Sequence, residues 1–117
     1  MYDEKKLLGV IGLCRGAGKA VLGVPMICER LREIYEKRGE VADVIVIEAS
    51  DTSDNTHKKI TDKCSFYGVK CIKLKLSSSE IGDIIGKSGA VCTLGITDKN
   101  FAGELIRLHL TINEETR

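Results

Sequence analysis

Val44–Ile47 is an unbroken run of β-branched apolar side chains. A strand with one wet face alternates apolar and polar residues, so such a run marks a strand covered on both faces. Helices must supply the cover, and the chain offers them on either side of the run. Asp3 can cap a first helix running to about Cys14, and the segment RGAGK breaks it. Ala20–Leu22 reads as a short extended piece ending at Gly23. Pro25 suits the first turn of a second helix with Ile27, Leu31, Ile34 and the stem of Arg38 on one face, stopped by Gly39.

Beyond Val44–Ile47 the alternation continues. Asp51, Thr52 and Ser53 offer caps for a third helix that turns Ile60, Cys64 and Tyr67 inward and ends at Gly68. Val69–Leu74 reads as a strand carrying Lys70 and Lys73, with Lys75 just beyond it. SSSE at Ser77–Glu80 is a capping-box sequence opening a fourth helix. Gly86 and Gly89 bound a loop, Ala90–Ile96 is another buried strand, and Asp98 caps a last helix through about Leu110. Helices alternating with strands predict an α/β fold, a three-layer αβα sandwich.

At 117 residues, 1–117 reads as a single domain. No apolar run approaches the 18 or so residues of a membrane span, and the start MYDEKKLLGV lacks a secretory cleavage pattern. Five cysteines, odd in number and without a C-x-x-C pair, point to a reducing, cytoplasmic setting. The net charge of +1 weighs against a protein that grips nucleic acid by charge alone, and leaves room for a shape reader with a small footprint.

GLCRGAGKA suggests a phosphate-binding loop, and VIVIE the acidic strand that would hold magnesium. The chemistry requires G-x-x-x-x-G-K followed by a hydroxyl residue at the start of a helix. Leu13 stands at the first glycine position, Ala20 replaces the hydroxyl, and the chain after Lys19 reads as extended. These glycines therefore read as a helix-to-strand turn. His57 and His109 have no cysteine or acid at ligand spacing and read as surface or packing residues. Asp51 and Asp54 flank a helix start, where carboxylates are favourable without catalysis. No catalytic residue, metal site or cofactor is expected.

Three blocks together resemble the L-seven-Ae family of kink-turn-binding ribosomal proteins, especially its bacterial branch. IGLCRGAGKAVLG (Ile11–Gly23) is similar to the family's L-G-L-A-R-x-A-G-K-x-V-x-G opening. SDTSDNTHKKITDKCSFYGVK (Ser50–Lys70) resembles E-D-A-S-x-N-T-x-K-K-x-x-D-x-C-x-Y-Y-x-V. SSSEIGDIIGK (Ser77–Lys87) and GITDKNFA (Gly95–Ala102) resemble its S-x-x-E-L-G-x-x-I-G-K and V-T-D-x-G-F-A segments. The likeness spans nearly the whole chain, with about five extra residues around the end of the second helix. It implies a mixed four-stranded sheet and binding of kink-turns, sharply bent RNA helices, at the start of the second helix and two adjacent loops.

Carried over position by position, that face is Lys19, Gly23, Val24, Pro25, Met26, Glu29, Arg30, Ser50, Ser78, Lys87, Ser88, Gly89, Ala90 and Val91, with Lys58 and Lys59 nearby. The family motif G-T-N-E-x-x-K reads GVPMICE, so only Gly23 survives. Glu29 replaces the lysine, Ser50 an acid and Ser78 a basic residue. The expected partner is structured RNA, a kink-turn or ribosomal RNA, with no DNA and no membrane. The alternative is a protein- or small-molecule-binding module on the same scaffold, with Pro25 and Met26 as a patch if Met26 is not in the core.

Overall fold

The computed structural model describes residues 4–105 and 107. The expected cap Asp3, the last helix past residue 107 and His109 lie outside them. In chain order the elements are α1 (Glu4–Gly16), β1 (Ala20–Leu22), α2 (Val24–Arg38), β2 (Ile45–Glu48), α3 (Asp54–Tyr67), β3 (Lys70–Lys73), α4 (Ser78–Ile84) and β4 (Thr93–Ile96). A further helix, α5, is described over residues 99–105.

The four strands form one sheet in the order β1-β4-β2-β3. β4 is antiparallel to both neighbours, while β2 and β3 run parallel, so the sheet is mixed. All four residues of β2 are buried. Ile45 and Ile47 pack with Ile11 and Cys14 of α1, Ile81 of α4, and Ala102 and Leu105 of α5. Val44 and Val46 point the other way, onto Ile27 and Leu31 of α2 and Ile60 and Cys64 of α3. The period-two alternation of a strand thus feeds two separate cores, which completes the three-layer αβα sandwich. A Cβ at Gly95 on β4 would stand 3.4 Å from side-chain carbons of Ile27 on α2 and Val21 on β1, about ordinary contact distance.

Local chemistry sets the element ends. The Ser53 hydroxyl accepts from the Thr56 amide to start α3, and the Ser77–Glu80 capping box starts α4 with both reciprocal bonds made. Left-handed Gly39 and Gly68 close α2 and α3. Asp98 Oδ1 accepts from the amides of Asn100 and Phe101 at the start of α5. Gly12 lies inside α1 and a strand follows Lys19, so the glycine segment runs helix to strand, the reverse of a phosphate-binding loop.

Several boundaries differ from the sequence expectation. β2 begins at Ile45 and takes in Glu48, β3 is confined to Lys70–Lys73, and β4 starts at Thr93, with residues 90–92 irregular. Apolar content marked these stretches as buried, whereas ladder pairing decides where a strand begins. Arg38 is exposed and does not lie along the inner face of α2. Val41 and Val44, on the chain returning after Gly39, pack onto that cluster.

Candidate functional site

Gly23 ends β1 with its amide donating to the Thr93 carbonyl at 3.0 Å. Its φ of 88° lies in the region that glycine enters without a Cβ penalty, and this allows the sharp turn into α2. No side chain caps α2 and no acid sits in its first turn, so its free amide end is left open. α3 lies alongside α2, and its first turn presents Thr56 and, one turn on, Lys59.

The third wall is the segment between α4 and β4. It is held by the Lys87 amide on the Gly82 carbonyl and the Val91 amide on the Ser78 carbonyl, both at 2.9 Å. Gly82 is required by packing, because a Cβ there would stand 2.0 Å from the carbonyl oxygen of Gly89. Asp51 ties the neighbouring corner. Its carboxylate accepts from the Ser78 amide at 2.8 Å and the Ser78 hydroxyl at 3.0 Å. These bonds, the amide first, hold the Asp51 carboxyl below its ordinary 3.8.

Together these walls enclose a groove of about 440 Å³ lined by Leu22, Gly23, Val24, Pro25, Thr56, Lys59, Lys87 and Ala90, Val91, Cys92 and Thr93. Two lysines line it and no carboxylate does. A chain that is nearly neutral overall therefore presents a cationic groove with an apolar floor, whatever its net charge suggests.

Gly23, Val24, Pro25, Lys87, Ala90 and Val91, six of the residues singled out from the sequence, meet in this groove. Met26 and Glu29 are exposed beside it on α2, Met26 at 51%. Ser88 and Gly89 are exposed on the adjoining loop, and Ser50 is exposed where its amide bonds to Leu76. Ser78 is buried, with its amide and hydroxyl committed to Asp51. Lys19 and Arg30 lie elsewhere. Lys19 Nζ is 4.0 Å from Asp98 Oδ2, and Arg30 lines a separate mixed-charge cleft with Asp43, Asp98 and Lys99.

Sequence reasoning did not select Leu22, Thr56, Cys92 or Thr93. Thr56 was accessible in principle, three residues from both Ser53 and Lys59 on one helix. Cys92 lies in the irregular segment before β4 and Thr93 is the first residue of that strand.

Under α3, the Glu48 carboxylate is 2% exposed and its Oε1 lies 2.7 Å from Nδ1 of His57. Glu48 Oε2 is buried without a hydrogen-bond partner among the described residues. Burial pushes the Cys14 thiol up to about 11, with Asp98 adding to it. The Cys71 thiol donates to the Cys64 sulfur, which together with burial keeps Cys71 protonated far above the ordinary thiol range. Among the described residues no group of three His, Cys, Asp or Glu is placed to hold a metal ion, and no helix is long and apolar enough to cross a membrane.

No protein-family model matches the chain. Two curated proteins are similar to it, both named RNA-binding protein YlxQ. The one from Enterococcus faecium is 38% identical over 100 residues, 86% of this chain and 87% of the relative. The one from Bacillus subtilis is 35% identical over 99 residues, 85% and 90% of the respective chains. Neither name describes an enzyme. Among solved structures, a Bacillus halodurans protein of unknown function superposes with a TM-score of 0.74 at 27% identity, over 88% of this chain and 95% of that one. The Giardia lamblia 15.5kD RNA binding protein gives a TM-score of 0.66 at 18% identity, over 92% and 88%, a likeness of fold alone.

Proposed function

The chain belongs to the family of the RNA-binding proteins named YlxQ, and from that premise we propose that it binds structured RNA of the kink-turn type through the groove between α2, α3 and the α4–β4 loop. One observation carries the reading. Gly23, Val24, Pro25, Lys87, Ala90 and Val91 come from distant parts of the sequence, and they converge on one cationic, apolar-floored groove. The open amide end of α2, Lys59 and Lys87 suit phosphate oxygens. Val24, Ala90 and Val91 suit the face of an unstacked base.

The loss of polar side chains at Val24, Pro25 and Met26 and the carboxylate of Glu29 change how such an RNA is read. A hydrogen bond to a charged group contributes roughly 1.5–3 kcal/mol, so losing several weakens base-edge recognition by more than ~100-fold. Recognition then rests on shape and phosphate contacts. Ribosome association and a cytoplasmic location belong to the same proposal.

A labelled kink-turn RNA titrated across a salt series tests it. Binding in the micromolar range is expected, with Lys59→Ala and Lys87→Ala each flattening the salt dependence by about 0.7–0.9 in log–log slope. No binding at micromolar protein, or slopes indifferent to both lysines, refutes it. A second reading, a protein-binding module, draws on the joint exposure of Pro25 and Met26 at the start of α2. It requires a partner that survives ribonuclease and is lost in Met26→Asp.

A further inference from the structure

Away from the groove, the exposed aromatic side chains among the described residues gather in one place. Phe66 is 75% exposed and packs edge-on to Tyr67, with ring centroids 4.9 Å apart. Tyr35 of α2, 49% exposed, lies 5.7 Å from Tyr67 in a tilted arrangement. A chain with five Phe and Tyr residues in all thus exposes two of them, Phe66 and Tyr35, on either side of half-buried Tyr67, whose ring also packs onto the α2–α3 core. An exposed ring keeps its apolar surface in water, a cost that folding has not relieved, and Phe66 belongs to neither core.

A cationic track leads to this cluster from the groove. Thr56, Lys59, Lys63 and Phe66 recur at spacings of three and four along α3 and so share one face, which borders α2. Lys63 sits beside Cys28 of α2, and Thr56 and Lys59 line the groove itself. Lys59 and Lys63 are exposed, and neither has an ion-pair partner among the described residues. Of the acids on the two helices, Asp62 pairs with Lys58 and Glu36 with Arg32, while Glu29 is exposed on α2 at the groove end of the track. From Thr56 to Phe66 the track is about 15 Å long.

We infer that the α2–α3 valley is a second RNA subsite, in which Lys59 and Lys63 hold the phosphates of an unpaired strand leaving the groove and Phe66, with Tyr35 and Tyr67, stacks a base. The inference deepens the proposed function and rests on it for the strand's origin. Cations spaced along a surface with an aromatic platform at its end are the usual means of holding single-stranded nucleic acid, and stacking tolerates any base because every base has a π face. Unpaired free lysines leading from one site to the other favour RNA over a protein partner, for which isolated exposed rings would suffice.

Two RNA probes test it: a ten-nucleotide oligoadenylate without structure, and a kink-turn duplex with and without unpaired tails at both ends. The oligoadenylate should bind weakly at low salt and lose about tenfold in affinity in Phe66→Ala and in Phe66→Leu. The tailed duplex should bind about tenfold more tightly than the blunt one, and both Phe66 variants should erase that preference. Phe66 is too exposed for either change to threaten folding. If Phe66→Leu behaves as wild type, the patch is an apolar contact and the inference fails. If oligoadenylate does not bind, or binds indifferently to Phe66→Ala, the inference fails as well. Failure of the blunt duplex alone counts against the proposed function, and the oligoadenylate arm still decides the subsite.

Discussion

Replacing Gly82 by alanine sets two effects of opposite sign against each other. In an open helix interior the change stabilises by up to about 1 kcal/mol, because glycine loses more backbone entropy on folding. In α4 the new methyl would meet the carbonyl oxygen of Gly89 at 2.0 Å and its carbon at 3.1 Å. That oxygen must retreat by more than about 1 Å to reach ordinary contact. It belongs to backbone and has no rotamer by which to escape. The segment is pinned by the Lys87 amide on the Gly82 carbonyl and the Val91 amide on the Ser78 carbonyl. Overpacking costs roughly 1–3 kcal/mol, and weakening the two anchoring bonds adds about 1 kcal/mol. Steric repulsion therefore wins, and Gly82→Ala should destabilise by about 2 kcal/mol, a fall in Tm of about 10 °C. Urea unfolding followed by circular dichroism measures this, with Gly9→Ala in α1 as control. A Cβ at Gly9 meets nothing within 4 Å, so that variant should match or exceed wild type. Because the displaced segment carries Lys87 and Ala90, RNA affinity should fall with stability. A Gly82→Ala protein as stable as wild type would refute the packing account of the groove wall.

Three other outcomes follow from named contacts. Asp51 has its pKa lowered by Ser78, so its stabilising contribution is complete above its ordinary 3.8 and is lost as pH falls through the lowered folded value. Asp51→Asn should melt below wild type at neutral pH, with the gap closing in strong acid, as a Tm series across pH will register. His57→Ala leaves the buried Glu48 carboxylate without its partner and should cost about 1–3 kcal/mol. Glu48→Leu combined with His57→Ala should recover that loss, which denaturant midpoints of the three proteins can decide. Cys92 is exposed and lines the groove, whereas Cys14 and Cys64 are buried. Iodoacetamide should therefore modify Cys92 first, and bound kink-turn RNA should slow that reaction, read by mass spectrometry of the alkylated peptide.

Much of the architecture was written in local chemistry. Capping at Ser53 and Ser77, the left-handed glycines at 39 and 68, and the apolar run of β2 act within a few residues of themselves, so the alternation of helix and strand was legible without coordinates. Strand ends were not, because a strand ends where its partner's ladder does. Thr93 pairs with Glu48 across the sheet, while residues 90–92 fall outside the ladder and the Cys92 carbonyl alone reaches the chain beyond β2, accepting from the Ala49 amide. The buried acid in β2 was likewise hidden, since His57 compensates it from another element.

The site divides along the same line. Sequence alone marked Gly23, Pro25 and Lys87 through a family-like order of short blocks, and those blocks reflect local turns and caps. Which of the marked side chains share a surface was decided only by folding. The sheet carries Lys19 to one end of β1 and Gly23 to the other, and Ser78 is turned inward by Asp51, 27 residues away. The absence of any acid from the groove lining is also a property of three-dimensional neighbourhood. Net charge sums over the chain, whereas a ligand feels only charges within a Debye length, and only the tertiary fold sets those distances.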